Sequence, residues 1–336
     1  MAKHYFLYFV QLCIILLLFS CSEKNHPLYH IGILAGIGPK QGPVIDGFID
    51  GMTELGYIED KNVKYDIRDP GFDIKAYQNI LEEFIMKDID LIFVYPTEAA
   101  LSAREMTRGL NTPVVFSITF SEAGDLINTL AAPGENITGV RYPGVEITRK
   151  RYEIFKELVP EMKNLVIPYN IEDPLIDKQL IMLRESVIMD RVNLIEFPSD
   201  SVEDFIGRLN TIVDRGIPTI DAILLPVGAF GTNIEVHSFL SRLSDLYGIP
   251  YGGNVSARGF DIHSEDRFLF RVGINFYETG HQAASQADKI FKGMPPANLP
   301  VLSSDLYLSV NYAQAERMGI VIPESLLYRT DNIIIE

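Results

Sequence analysis

Apolar residues along this chain follow two spacings that take turns. Short unbroken runs such as His30-Ile31-Gly32-Ile33-Leu34 and Leu91-Ile92-Phe93-Val94-Tyr95 read as buried strands. Between them, Val44, Ile45, Phe48, Met52 and Leu55 recur at helical intervals, and Gly56 stands where a C-terminal cap belongs. Val63 to Arg68 reads as the next strand. Ile74 to Lys87 reads as a helix with Leu81, Phe84 and Ile85 inward, Glu98 to Thr107 as another, and Pro113 opens a fourth strand. Strands alternating with amphipathic helices predict parallel βαβ units and a doubly wound sheet.

The same grammar starts again after Gly144. Helical spacing covers Thr148 to Val159, Pro174 to Met189, Val202 to Arg215 and Asn233 to Tyr247; strand-like runs cover Leu165 to Pro168, Val192 to Phe197 and Ala222 to Leu225. Two α/β lobes of similar size are therefore expected. After a strand at Phe268 to Gly273, the stripe Tyr277, Gly280, Ala284, Ala287 and Phe291 predicts a helix that ends at Gly293-Met294-Pro295-Pro296. The tail is too short for a third domain and reads as segments that return to complete both lobes. The expected division is residues 29–140 plus 270–299 in lobe 1 and 141–269 plus 300–336 in lobe 2.

The first segment breaks both spacings. Lys3 precedes an apolar run from Tyr5 to Phe19 that only Gln11 clearly interrupts, and the run ends Leu18-Phe19-Ser20-Cys21. It is short of the roughly 20 residues that span a bilayer, so residues 1–20 read as a secretory signal. A small residue before Cys21 resembles the bacterial lipobox, which implies lipidation at Cys21. Residues 21–28 then form a short polar tether. An uncleaved membrane anchor is the alternative; either way the body faces outward at a bacterial membrane, in the periplasm or at the cell surface.

Composition narrows the chemistry. The 336 residues carry a formal charge of −16, a surface that repels phosphate backbones and argues against nucleic acid. The only cysteines are Cys13 and Cys21, so the body has no disulfide framework, no Cys-based zinc site and no thiol nucleophile. HExxH and GxSxG are missing, and the six histidines are scattered; no metal and no cofactor is expected. Gly36-Ile37-Gly38-Pro39-Lys40-Gln41-Gly42 comes directly after the first strand, but its third glycine falls one residue late for a dinucleotide fingerprint, so it reads as a tight turn opening onto a cleft. Asn136-Ile137-Thr138 matches a glycosylation sequon and is discounted in a bacterial lipoprotein.

A set of segments in order then resembles one family. Gly47-Phe48, Glu54-Leu55-Gly56-Tyr57 and Lys61-Asn62-Val63 begin it. Thr112-Pro113-Val114-Val115-Phe116, Pro133-Gly134-Glu135-Asn136-Ile137-Thr138-Gly139-Val140 and Glu157-Leu158-Val159-Pro160 continue it. Ile290-Phe291-Lys292-Gly293-Met294-Pro295-Pro296-Ala297-Asn298-Leu299-Pro300 and Met318-Gly319-Ile320-Val321-Ile322-Pro323-Glu324-Ser325-Leu326-Leu327 complete it. Together they resemble the ABC-transporter substrate-binding lipoproteins that include aromatic amino-acid binders. The resemblance implies a type I periplasmic-binding fold: two doubly wound parallel-sheet lobes joined by a three-crossing hinge, with the ligand between them. Two positions depart from the family pattern. Thr119-Phe120-Ser121-Glu122 stands where Asp-Pro is usual, and Arg141-Tyr142 where a small hydroxyl residue is common.

Ligands of open α/β sheets sit beyond the carboxyl ends of the strands. The loops there offer Pro39, Thr97, Glu98, Thr119 and Phe120 from the first lobe, Arg141 and Tyr142 at the first crossing, and Asn170, Gly228, Phe230 and Asn254 from the second. Thr97, Asn170 and Asn254 would hydrogen-bond, and Phe120, Tyr142 and Phe230 would offer planar faces. Arg141 has two readings: a guanidinium for a ligand carboxylate, or a partner of Glu146. The expected function is capture of a small solute, such as an aromatic amino acid, by a monomer that delivers it to an ABC permease. A sensor lobe pair signalling to a membrane kinase or cyclase is a rival. An extracytoplasmic enzyme is another, disfavoured by the missing nucleophile–base pattern.

Overall fold

The computed structural model describes residues 28–36, 42–121, 124–214, 220–253 and 267–335. The signal segment, Cys21, Pro39 and Asn254 lie outside the described residues, as does the tether apart from Leu28.

In chain order the first lobe contributes β1 (Tyr29–Ala35), α1 (Pro43–Glu54), β2 (Val63–Arg68), α2 (Ile74–Met86), β3 (Leu91–Tyr95), α3 (Thr97–Met106), β4 (Val114–Thr119) and β5 (Ile137–Arg141). The second lobe continues with α4 (Gly144–Leu158), β6 (Asn164–Asn170), α5 (Ile176–Met189), β7 (Asn193–Ser199), α6 (Val202–Asp214), β8 (Ala222–Leu224), α7 (Ala229–Thr232), α8 (Ile234–Tyr247), β9 (Tyr251–Gly253) and β10 (Phe270–Ile274). The tail supplies α9 (Phe276–Phe291), β11 (Leu302–Ser303), β12 (Leu306–Asn311), α10 (Tyr312–Arg317), α11 (Glu324–Leu327) and β13 (Asn332–Ile334).

Two sheets result. The first runs β11-β5-β4-β3-β1-β2 with every neighbouring pair parallel. The second runs β13-β12-β10-β9-β8-β6-β7 and is parallel except where β12 lies antiparallel to β10. Alternation along each strand sends side chains to both faces. In the first sheet Ile31, Ile33, Leu91 and Phe93 meet α1 and α9 on one face, while Leu34, Ile92, Val94 and Phe116 meet α2 and α3 on the other. In the second, Leu165, Ile167, Leu224 and Val272 face α4 and α5, and Val166, Ile223, Leu225 and Tyr251 face α6 and α8. The central strands, such as Leu91–Tyr95, are continuous apolar runs because both of their faces are covered, whereas edge strand β2 alternates as Val63-Lys64-Tyr65-Asp66.

The chain passes between the lobes after Arg141, after Ile274 and after Ser303. The second and third passages fall later than the expected 270 and 300. Phe270 to Ile274 pairs with β12 and reaches β9, so it is a strand of the second lobe. Val301 donates its amide to the Leu130 carbonyl at 2.7 Å, and Leu302 and Ser303 pair with Val140 and Arg141, so these residues belong to the first. At the second passage the Asn275 side chain caps α9, accepting from Tyr277 N at 3.0 Å and Glu278 N at 3.3 Å. That cap fixes the direction in which the chain enters the first lobe.

Helix α9 completes the first lobe by lying almost backbone to backbone on α1. A Cβ on Gly47 would come 1.9 Å from the Tyr277 carbonyl oxygen, and one on Gly280 would come 2.0 Å from that of Val44. Neither position has room for a side chain unless the helices separate. Gly280→Val is therefore expected to destabilise the protein by about 1–3 kcal/mol or more through overpacking. Gly207→Ala, in α6 with open space around it, should instead stabilise by about 0.5–1 kcal/mol. Urea denaturation of the two variants reads both signs.

Candidate functional site between the lobes

The three crossings are bound to one another. The Arg141 carbonyl accepts both the amide and the hydroxyl of Ser304, each at 3.0 Å. The Thr279 hydroxyl lies 3.2 Å from the Ser304 hydroxyl and donates to the Asn275 carbonyl at 2.7 Å. The Arg141 guanidinium donates to the Ser303 hydroxyl at 2.9 Å and is ion-paired with Glu146. Arg141 thus stands at the first crossing with Glu146 as an ion-pair partner.

On the first lobe, β4 ends irregularly. Its register with β5 shifts between Phe116 and Thr119, and Ile118 takes φ +45°. A β-branched residue in the left-handed region is strained, and such strain collects where a side chain has to be aimed. The side chain aimed here is that of Phe120. Its amide donates to the Thr97 hydroxyl at 3.1 Å at the start of α3, and its ring meets Tyr142 edge-on with centroids 5.4 Å apart. The ring also reaches the second lobe: around Gly144 the nearest side chains are Leu175, Phe120 and Val227. Between the ends of β1 and β3, the buried Tyr77 hydroxyl lies against Gly36 and has no hydrogen-bond partner among the described residues. Burial, then the charges of Glu98, Asp69 and Asp73, push its pKa up to about 12.

On the second lobe, the Asn170 side chain accepts from Glu172 N at 2.8 Å and closes a turn at the end of β6. Asp173, next in that turn, accepts from Ala229 N at 3.0 Å and packs so closely on Gly228 that a Cβ there would lie 2.2 Å from its carboxylate. Burial raises the Asp173 pKa; the amides of Ala229 and Asn170 offset part of the rise. Below this loop Gln179, fully buried, donates to the Val227 carbonyl at 2.8 Å and accepts from its amide at 2.8 Å, with the Thr148 hydroxyl beside it.

Arg151 of α4 is also fully buried. It donates to the Leu225 carbonyl at 2.9 Å and to the Val272 carbonyl from two nitrogens at 3.0 and 2.8 Å, and the Tyr142 hydroxyl is a further partner. Burial lowers its pKa to about 10, partly offset by Tyr142, and no carboxylate contributes. A lone charge in the interior costs several kcal/mol unless something pairs with it.

The predicted residues divide accordingly. Thr97, Phe120, Tyr142, Asn170 and Gly228 stand at or just beyond the carboxyl ends of β3, β4, β5, β6 and β8, with the Tyr142 ring buried in the second-lobe cluster. Glu98 is exposed on the first turn of α3. Thr119 is fully buried, its hydroxyl donating to the Ser117 carbonyl at 2.8 Å. Phe230 does not offer a face to the cleft. Short helix α7 turns its ring inward, 5.3 Å from Phe205 in the second-lobe core, because the apolar cluster there takes it up. Sequence reading misses Tyr77, Arg151, Asp173 and Gln179. Arg151 and Gln179 sit at inward positions of amphipathic helices, the one signal that marks a polar residue as buried. Two surface depressions, of about 470 Å³ along α6 and about 350 Å³ at the amino ends of β1 and β2, lie away from these loops. Among the described residues no three His, Cys, Asp or Glu side chains gather to hold a metal.

Two doubly wound lobes with three bound crossings suit a protein that closes around a solute. Residues 33–216 and 268–334 match the ABC transporter substrate binding protein family. The chain belongs to that family. A curated relative, the tyrosine-binding protein of Clostridioides difficile strain R20291, is 23% identical over 267 residues, 77% of this chain and 71% of the relative. Among solved structures, an ABC domain from Streptococcus pneumonia in complex with L-Trp is 23% identical with a TM-score of 0.71, covering 91% of this chain and 99% of that one. The ligand-free, open structure of a substrate binding protein with adhesive properties from Clostridium difficile is 21% identical with a TM-score of 0.73, covering 92% and 100%. Like its family, this substrate-binding protein has two lobes of type I periplasmic-binding fold, and the family works outside the cytoplasm. Among the described residues no helix is long and apolar enough to cross a membrane.

The ion pair at the first crossing of this substrate-binding protein is pH-dependent. Burial works to raise the Glu146 pKa, but the hydrogen bond from Arg141 and the charges of Arg141 and Arg149 leave it below the usual value. A depressed carboxylate adds stability above its unfolded pKa and loses it as the pH falls through the folded value. The melting-temperature difference between the protein and its Glu146→Gln variant should be full at pH 7 and fade below about pH 4, near and under the ordinary glutamate range.

Proposed function

We propose that this substrate-binding protein captures a small solute with an aromatic or comparably planar part and delivers it to an ABC permease, while a lipid on Cys21 holds it at the membrane. The observation that carries the ligand class is the Phe120–Tyr142 pair. One ring comes from the end of a first-lobe strand, the other from the first crossing, and they meet at 5.4 Å. A solute that stacks there touches both lobes, which is the condition for it to favour closure. In this reading Thr97, Asn170 and the turn at Gly228 supply polar groups to the solute. The relative that binds tyrosine and the similar structure with L-Trp favour the same class of solute. A permease responds to the closed form, so capture and delivery are one equilibrium. The reading of a lipid anchor rests on the apolar run that ends at Ser20-Cys21 and the short tether after it.

Aromatic amino acids are expected to raise the melting temperature by linkage between binding and folding, and sugars are not. Stacking adds about 1 kcal/mol per ring beyond burial, so Phe120→Ala should weaken binding at least roughly fivefold in isothermal titration. A response to sugars alone would remove the aromatic reading. Mass spectrometry of what co-purifies with the protein names the solute directly.

The anchor has its own test. Cys21→Ala should abolish incorporation of labelled palmitate and release the protein from membranes; label still entering the variant would refute the lipid site.

A further inference from the structure

We propose that Arg151 makes the cleft selective for a solute bearing a carboxylate, acting from behind the cleft wall through the Tyr142 hydroxyl. The inference rests on the proposed function, that the cleft holds a solute, and it adds which end of that solute the second lobe prefers.

Strand β9 lies between β8 and β10. The carbonyls of Leu225, just after β8, and of Val272, in β10, receive the Arg151 guanidinium. The side chain therefore bridges the two strands that flank β9, at the carboxyl end of the sheet, where ligands of such folds bind.

Two main-chain carbonyls satisfy hydrogen-bond donors, and a neutral amide would satisfy the same oxygens. They do not cancel a charge. Two other buried arginines have carboxylates, Arg104 with Glu135 and Arg141 with Glu146, while buried Arg271 lies over the Phe268 ring. Arg151 has no carboxylate among the described residues, and it is the most buried of the four. Its fixed positive charge polarises the tyrosine next to it, the one whose ring lines the first crossing. Asp173, also on the second lobe, is held by the amides of Ala229 and Asn170 and makes no contribution at Arg151. The first lobe carries Asp69, Asp73 and Glu98 near Tyr77. In this scheme a zwitterion places its carboxylate toward Tyr142 and its ammonium toward the first lobe. Arg151 is a positioning residue in this scheme, since it does not itself touch solute.

Matched pairs test the assignment: L-tyrosine against tyramine and L-tryptophan against tryptamine, by isothermal titration on the full-length body. The acid is expected to bind at least 100-fold tighter than its amine. Arg151→Met, checked for cooperative unfolding, should cut that ratio to below tenfold, and Arg151→Lys should restore part of it. Tyr142→Phe keeps the ring and removes the hydroxyl, so it reads the same loss of ratio if Arg151→Met does not fold. A protein that binds amine and acid equally overturns the proposal, as does a folded Arg151→Met or Tyr142→Phe variant with the original ratio. If neither aromatic pair binds, the aromatic reading fails on its own. Arg151 is then judged on a panel of sugars, amines and carboxylates: a bound solute lacking a carboxylate overturns the proposal, and a bound carboxylate weakened by the variants upholds it.

Discussion

The Arg141 carbonyl, taken by both the amide and the hydroxyl of Ser304, is the contact on which the two-lobed shape depends. It joins the first crossing to the third, and Thr279 extends the link to the second through Asn275. Three strands of chain held together at one place leave the lobes free to move only by small torsional changes in those few residues, the hinge behaviour expected of such folds. The α1–α9 contact makes the constraint necessary. Because α9 is welded to the first lobe through Gly47 and Gly280, the chain has to leave the second lobe after β10 and come back before β12.

Most of this frame is legible in the sequence, for a physical reason. Both faces of the central strands are covered, so those strands are continuous apolar runs while the helices carry single apolar stripes, and the two patterns do not resemble each other. What escapes is short or atypical. β9 is Tyr251-Gly252-Gly253, with one side chain to carry a pattern, and β11 is two residues long. The tail passages lie a few residues beyond their expected places because Phe270 to Ile274 has the same composition in either sheet; only pairing with β12 assigns it. Loop position is enough to expect Thr97, Phe120 and Tyr142 just past the ends of β3, β4 and β5, where the structure has them. It fails for Phe230 because a four-residue helix turns the ring inward, which periodicity cannot register over so short a span.

The end of β4 shows why the site is the harder part to read. Ile118 sits in a conformation that costs on the order of 1–3 kcal/mol for a side chain of its shape. The neighbouring β-bulge and the packing of Ile118 against both cores hold it there. What the strain achieves is placement: Phe120 leaves the first lobe and lies on Gly144, Leu175 and Val227 of the second. Local propensity argues against this backbone at Ile118, so a reading built on propensity predicts an ordinary strand end. The sequence there reads Thr119-Phe120-Ser121-Glu122, where the family resemblance implies Asp-Pro.

Charge gives the last constraint. A formal charge of −16 sets up a field that disfavours anions at a distance, but salt screens it beyond about 10 Å. An anionic solute would approach against that field, whereas a zwitterion carries no net charge and approaches freely. Discrimination is then left, in the proposed scheme, to the order of charges at the site: acids of the first lobe on one side and a buried guanidinium behind the second. A sugar would gain nothing from that order, and a simple amine would meet only half of it. The acidic surface and the buried Arg151 are thus compatible parts of one device, because they act over different distances on different parts of the same molecule.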